Sequence, residues 1–274
     1  MKTQILFPGI MLFLLLGSFC ATNKEKAEKT ERASPAFKET GEQEITIISV
    51  YDNYQANPEM QTAWGFGSVI QTPDENILFD TGGNVDILLS NMKKMDIAPE
   101  LIDKVFISHI HGDHLGGLEG FLDKNKDVTV FIPASFPNSV SNMITNKGAL
   151  VKELSDPGKI TDFAWSTGEL SGPPTEHGLM IHSKKGLIVM TGCAHPGIVK
   201  IVRRAKELTG KESVYLVVGG FHRPPRSTVK EFRELGVEKV APTHCTGDKV
   251  RNAFAEEYRE DFVEYGVGKI LEIK

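Results

Sequence analysis

Three imidazoles and a carboxylate within six positions, placed where a short apolar run stops, constrain this chain more than any other feature. The segment reads Ser108-His109-Ile110-His111-Gly112-Asp113-His114-Leu115-Gly116-Gly117. It follows the run Lys104 to Ser108, which predicts a short buried strand. In extended backbone the side chains alternate, so His109 and His111 project to one face and can reach one ion. Gly112 lets the chain turn and aim Asp113 and His114 at a second position nearby. Imidazole nitrogen and carboxylate oxygen are zinc ligands, and they also suit iron or manganese. A merely polar surface loop has no need of three histidines at the end of a buried strand. The Leu-Gly-Gly that follows predicts close backbone packing against the same place.

One such cluster supplies too few donors for two ions, so further donors are expected at other strand ends. His177 lies in Pro174-Thr175-Glu176-His177-Gly178, just before a predicted strand. Cys193 and His195 lie in Thr191-Gly192-Cys193-Ala194-His195-Pro196-Gly197, just after one. His222 follows the apolar run through Val218, and His244 and Cys245 follow the one through Pro242. C-terminal strand ends are where loops gather into a crevice and sites are built. A thiolate at Cys193 can ligate zinc, with a nearby metal lowering its pKa; a small buried residue at a strand end is an equal reading. Cys245 reads as packing.

The rest of the mature chain alternates strand and helix signals. Strands are predicted at Glu44 to Val50, Gly67 to Gln71, Asn76 to Phe79 and Val128 to Ile132, with short strand-like pieces between Val151 and Glu169. Leu179 to Ser183 and Gly186 to Thr191 flank Lys184-Lys185 as a hairpin. Val214 to Val218, Val237 to Pro242 and Lys269 to Ile273 complete the strands. Asn84 is expected to cap a helix through Met95, with Val85, Leu88, Leu89, Met92 and Met95 on one face. Further helices are expected at Leu118 to Leu122, Pro137 to Lys147, Pro196 or Gly197 to Leu208, Thr228 to Leu235, and Asp248 to Tyr258. Two mixed sheets packed face to face, with helices on both outer faces, satisfy this pattern. The hairpins argue against a simple doubly wound parallel sheet, and no glycine-rich phosphate loop follows the first strand.

The N-terminal part has a different character. Lys2 precedes the apolar run Ile5 to Leu16 and then Gly17, Ser18, Phe19 and Cys20, so residues 1–20 read as a secretory signal. The run is short for a membrane span of ~20 residues. Gly17 and Ser18 before Cys20 fit a bacterial lipoprotein signal, in which Cys20 is lipidated; Phe19 departs from that pattern. Residues 21–43 are rich in Lys, Glu and Thr and read as a disordered linker or tether. The expected location is the periplasm or cell envelope, and residues 44–274 form the expected catalytic domain. With Cys193 and Cys245 as the remaining cysteines, that domain is not a disulfide scaffold. The formal net charge is −5 and the basic residues are scattered, so a small-molecule substrate is expected rather than nucleic acid.

These motifs together resemble the metallo-β-lactamase superfamily. The matching pieces are Asp80-Thr81-Gly82, HIHGDH at 109–114, the His177 region, TGC at 191–193 where most relatives carry Thr-Gly-Asp, and His244, in the family's order across nearly all of the mature chain. Ala63-Trp64-Gly65-Phe66, TGCAHPGI at 191–198, GGFH at 219–222 and Thr243-His244-Cys245-Thr246-Gly247 further resemble the dihydropterin-ribofuranosylaminobenzene phosphate synthase-like branch. The resemblance implies a four-layer αββα sandwich of two mixed sheets and two divalent metal ions, zinc first, with iron or manganese as alternatives. It implies that His109 and His111 bind the first ion and Asp113, His114 and His244 the second. His195 is the preferred third ligand of the first ion. His177 stands where many relatives place that ligand, and is kept as the alternative or as a substrate contact. Cys193 replaces a bridging aspartate. Asp80 is expected to orient a metal-binding histidine by accepting its other ring N–H.

The chemistry so implied is hydrolysis of an ester or phosphoester by hydroxide formed on the metals. Asp113 would position the nucleophile, and His222 or His177 would protonate the leaving group. Three rivals stand beside it. A di-iron redox enzyme needs a carboxylate where this chain has His111. A transferase or synthase is what the branch name implies. A non-catalytic metal-binding surface protein is the third.

Overall fold

The computed structural model describes residues 44–274. The signal and linker expectations for residues 1–20 and 21–43, Cys20 included, lie outside the described residues. Among the described residues, no helix is long and apolar enough to cross a membrane.

In chain order the strands are β1 (Ile45–Asp52), β2 (Phe66–Gln71), β3 (Asn76–Phe79), β4 (Lys104–Phe106), β5 (Thr129–Pro133), β6 (Leu150–Leu154), β7 (Gly158–Lys159), β8 (Ala164–Ser166), β9 (Leu179–Ser183), β10 (Gly186–Thr191), β11 (Val214–Gly220), β12 (Val237–Thr243) and β13 (Ile270–Ile273). The helices are α1 (Val85–Lys94), α2 (Gly112–Leu115), α3 (Leu118–Leu122), α4 (Asn138–Asn146), α5 (Ile198–Thr209), α6 (Ser227–Glu234) and α7 (Asp248–Tyr258). One sheet has the order β13-β1-β2-β3-β4-β5-β6 and the other β12-β11-β10-β9-β8-β7. Both are mixed. β1, β2, β3 and β13 pair antiparallel, and β3 to β6 run parallel. In the second sheet β10, β11 and β12 are parallel and β7 to β10 antiparallel.

Strand alternation divides the apolar residues between two faces. Ile47, Phe66, Ile77, Phe79 and Phe106 of the first sheet meet Leu179, Ile181, Ile188, Met190 and Val218 of the second in a core between the sheets. The other face of the first sheet, with Val69, Leu78 and Val105, buries Leu88 and Met92 of α1, Phe121 of α3 and Ile144 of α4. The outer face of the second sheet, with Val189, Val217 and Val240, buries Ile201 and Val202 of α5, Phe232 of α6 and Phe254 of α7. The result is the expected αββα sandwich.

Local signals explain why these helices start and stop. Asn84 caps α1 with its side-chain oxygen, accepting from Asp86 N and Ile87 N at 2.9 and 3.1 Å. α5 ends on Gly210 in the left-handed conformation, which donates its N–H to Lys206 O. The 179–191 hairpin and α7 have the expected bounds. The element missed is α2, one turn inside the histidine motif. Its Gly116 N–H bonds Gly112 O at 2.8 Å, so the turn expected at Gly112 is helical.

The parallel strands place the site. β3, β4, β10, β11 and β12 lead within one or two residues into Asp80, Ser108, Gly192, Phe221 and His244, which the loops bring to one edge of the sandwich. An Asn84→Ala protein should lose about 1 kcal/mol of stability through the missing cap, read as a lower denaturant midpoint with unchanged slope. An unchanged midpoint would show that the cap contributes nothing.

Candidate metal centre

Two buried carboxylates organise the centre. Asp80 ends β3 with a left-handed φ of 54° and is fully buried. Its Oδ1 accepts the Ser108 N–H at 2.7 Å, and its Oδ2 accepts the Ser108 hydroxyl at 2.8 Å and His114 Nδ1–H at 2.7 Å. Burial raises the Asp80 pKa, tempered by His114 and Ser108. Glu176 is the second. Its Oε1 accepts the N–H groups of Gly192, Cys193 and Ala194 at 3.0, 3.0 and 2.9 Å, and its Oε2 accepts His195 N–H at 2.8 Å. One carboxylate therefore fixes the whole TGCAH loop. Gly192 has no room for a side chain: a Cβ there would stand 2.0 Å from Ser108 Oγ and 2.9 Å from Asp80 Oδ2.

The hydrogen bonds settle which ring nitrogen each histidine offers. Ser108 gives its only hydroxyl proton to Asp80, so at 2.9 Å His109 Nδ1–H must donate to Ser108 Oγ. Asn53 donates its amide to His244 O and turns its Oδ1 to His244 Nδ1 at 2.8 Å, so that nitrogen carries the proton too. His114 Nδ1 faces a carboxylate and donates. All three rings therefore direct Nε2 into the centre. His109 Nε2 is buried and without a hydrogen-bond partner, as is His195 Nε2. His114 Nε2 and His244 Nε2 lie 3.2 Å apart, with Cys193 Sγ 3.2 Å from His114 Nε2. Asp113 Oδ2 is 3.3 Å from His244 Nε2 and 3.7 Å from His114 Nε2.

Facing lone pairs beside a carboxylate and a sulfur call for a positive charge. Burial, with the neighbouring rings, lowers His109 well below its ordinary value and brings His195 and His244 down to about 4, so these rings are neutral donors at neutral pH. Burial also works against a charged His114, but Asp80 outweighs it and raises that pKa. Burial works against the charge on Asp113 as well, yet the His244 and His114 rings beside it hold its carboxyl below the usual range. The donor set fits divalent cations. His109, Cys193 and His195 form one group with donor atoms within 4.8 Å, and His114, Cys193 and His244 form another. His111 flanks the first, its ring centroid 4.9 Å from that of His109 and 4.7 Å from that of His195. His222 is exposed, with its ring 4.2 Å from that of His195.

The structure thus brings together His109, His111, Asp113, His114, Cys193, His195, His222 and His244. It does not bring His177. The roles held open for His177, third ligand, substrate contact or leaving-group acid, are corrected by geometry. The isolated bridge between His109 and Glu176 turns Glu176 toward the centre, so the next side chain points away. His177 lies in the core between the sheets, stacked on Phe106 with ring centroids 4.1 Å apart. Its Nε2–H donates to Ile107 O at 2.9 Å, and its Nδ1 accepts from Ser166 Oγ at 3.0 Å. Both nitrogens are occupied. Cys245, expected to pack, does so, but its sulfur also approaches Cys193. Glu176, Ser108 and Asn53 carry no motif signal. Glu176 was legible only as a carboxylate beside a histidine at a strand entry.

Comparison with known proteins identifies the family and the fold. Residues 65–244 match the metallo-beta-lactamase superfamily model. A 7,8-dihydropterin-6-methyl-4-(beta-D-ribofuranosyl)-aminobenzene-5'-phosphate synthase of Methanocaldococcus jannaschii is 34% identical, over 83% of this chain and 96% of that protein. A solved metal-dependent hydrolase of the beta-lactamase superfamily matches with a TM-score of 0.69 and 27% identity, over 84% of this chain and 99% of its own. The metallo-beta-lactamase fold protein YhfI from Bacillus subtilis matches with a TM-score of 0.62 over 84% of this chain and 100% of its own; its 15% identity speaks for the fold alone.

Burial holds His177 neutral, with a pKa lowered from 6.5 to about 3. Below its ordinary pKa the unfolded chain gains a proton that the folded one refuses. Its stability contribution is therefore whole above 6.5 and falls as pH drops toward 3. A His177→Gln protein should keep the wild-type metal content and show a shallower loss of urea midpoint between neutral pH and about pH 5. Loss of a metal equivalent in that variant would restore His177 as a ligand.

Proposed function

We propose that this chain, which belongs to the metallo-β-lactamase superfamily, is a hydrolase that cleaves a phosphoester with two divalent ions, zinc first, held by the histidine centre. The observation that carries it is the set of inward Nε2 atoms of His109, His114, His195 and His244, each on a neutral or carboxylate-steadied ring. His109, His111 and His195 would hold one ion, and Asp113, His114 and His244 the other, with Cys193 between them. Ions at such donors lower the pKa of water toward ~7 and polarise a substrate oxygen.

The chain's own groups do the rest. Asp80, Ser108 and Asn53 fix ring orientation and tautomer, so the donors are pre-set. Asp113 is ionised, partly open, and placed to take a hydrogen bond from an incoming nucleophile. His222 stands on the rim beside His195, where burial and nearby His111 lower its pKa. That position suits proton delivery to a leaving group. Trp64 is 56% exposed and its ring centroid lies 4.8 Å from that of His244, forming an apolar wall beside the centre.

A phosphoester is favoured over a neutral ester by the adjoining cleft. A cavity of about 410 Å³ is lined by Arg223, Arg226 and Lys249 with one acid, Asp248, and Thr246 among others, Arg226 being paired with Glu256. Arg223 follows His222 directly, and Thr246 is two residues beyond His244. An anionic group reaching from the centre would meet cationic side chains there. The identity with the synthase over nearly its whole length favours a second reading, a bond-forming reaction at the same donors.

Metal analysis of the purified protein, with hydrolysis of a generic phosphodiester and a carboxylate ester, tests the reading. His111→Ala should lose bound metal and reduce phosphodiester turnover by at least about 100-fold. Turnover that survives the change would remove the metal mechanism. Metal binding without hydrolysis of either compound would favour the synthase-like reading. Arg223→Ala should raise KM for the phosphodiester and leave the ester unchanged; equal effects on both would place the anionic group elsewhere.

A further inference from the structure

Cys245 has no part in the proposed chemistry, yet it is drawn into a donor cluster of its own. The sulfurs of Cys193 and Cys245 and a ring nitrogen of His222 lie within 4.8 Å of one another. Both cysteines are free and buried, whereas His222 is exposed. Gly220 makes room for the pair: a Cβ there would stand 2.7 Å from Cys245 Sγ and 3.3 Å from Cys193 Cα. Cys245 Sγ also points at Cys193 O, 3.6 Å away. Two thiols alone could fill space as any small apolar residues do. The third member argues otherwise. His222 and Arg223 both hold left-handed backbone, with φ of 50° and 48°, a conformation costly for side chains of this size. That backbone turns the His222 ring over the sulfurs at the mouth of the site.

We propose that Cys193, Cys245 and His222 form a further binding site for a soft d10 cation, with zinc, cadmium and copper(I) as the class. Thiolate with imidazole selects such ions over magnesium or calcium. Zinc sits about 2.3 Å from thiolate sulfur and about 2.0 Å from imidazole nitrogen. The present spread closes to that geometry by movements of about 1 Å, and the exposed His222 ring is free to supply most of them. On binding, each thiol releases its proton to the solvent. Two metal–sulfur bonds and one metal–nitrogen bond form, no electron is transferred, and a fourth position faces the solvent. The site shares Cys193 with the histidine centre and otherwise uses different residues. Resting on the hydrolase reading, its occupation withdraws Cys193 from between the two histidine groups and His222 from the leaving group. A soft cation at this place therefore slows turnover.

The test titrates the purified full chain with cadmium chloride and follows the thiolate-to-cadmium charge-transfer absorption in the ultraviolet. At saturation the wild type should show about twice the absorbance per chain of a Cys245→Ser protein, because two thiolates become one. His222→Ala, a change at an exposed position, should weaken cadmium binding by about tenfold or more with the band height kept at saturation. His111→Ala should retain the two-thiolate band, which separates this site from failure of the hydrolase reading. Equal absorbance in the wild type and Cys245→Ser proteins would overturn the proposal, as would cadmium affinity untouched by His222→Ala.

Discussion

The arrangement depends on a buried carboxylate that cannot be satisfied by water. Asp80 sits at the end of β3 with three donors converging on it, two from Ser108 and one from His114. A carboxylate removed from solvent must be hydrogen-bonded or lose its charge. Meeting that demand locks the end of β4 to the end of β3 and sets the direction of two histidine rings at once. His114 is held directly, and His109 through the Ser108 hydroxyl. Glu176 repeats the device on the other sheet, where four consecutive backbone N–H groups fold the 192–195 loop around one carboxylate. The inward nitrogens of the centre follow from these two anchors more than from the histidines themselves.

The packing below explains why the anchors stay in place. Each sheet presents one face to the shared core and the other to its own helices, so both are buried on both sides. The strands that carry most site residues are parallel ones: β3 and β4 lie inside the first sheet, β10 and β11 inside the second, and β12 forms the second sheet's edge. Loops at their C-terminal ends start from fixed points, and their polar side chains can be preset without ordering at the moment of binding. His244 shows the same economy. Thr243 beside it donates to the buried Asp52 at 2.7 Å, and Asn53 from the end of β1 orients the ring. Burial brings Asp52 up to about 7, against the hydrogen bonds from Tyr54 and Thr243.

Much of this was legible in the sequence, and particular residues show why the rest was not. Periodicity and punctuation located the strands and helices: Asn84 caps α1 as its position before an amphipathic run predicts. The HIHGDH segment and the late histidine carried enough chemistry to predict convergence. His177 did not follow, because one residue of strand phase decides between a site and a core. A histidine with both nitrogens spoken for by Ile107 and Ser166 looks, in sequence, like any ligand. Glu176 escaped for the converse reason. Its partners are backbone N–H groups, which every residue has, so no pattern of side chains announces them. Cys245 read as filling because its relation to Cys193 and His222 spans three separate loops.

The central claim is that imidazoles oriented by these anchors hold metal ions through Nε2. Zinc K-edge X-ray absorption of the zinc-loaded protein tests it most directly. The account predicts a coordination shell dominated by nitrogen and oxygen, with the outer-shell scattering of several imidazole rings and a sulfur contribution from Cys193. A shell of water oxygens without imidazole scattering, or failure of the protein to retain zinc at all, would contradict it.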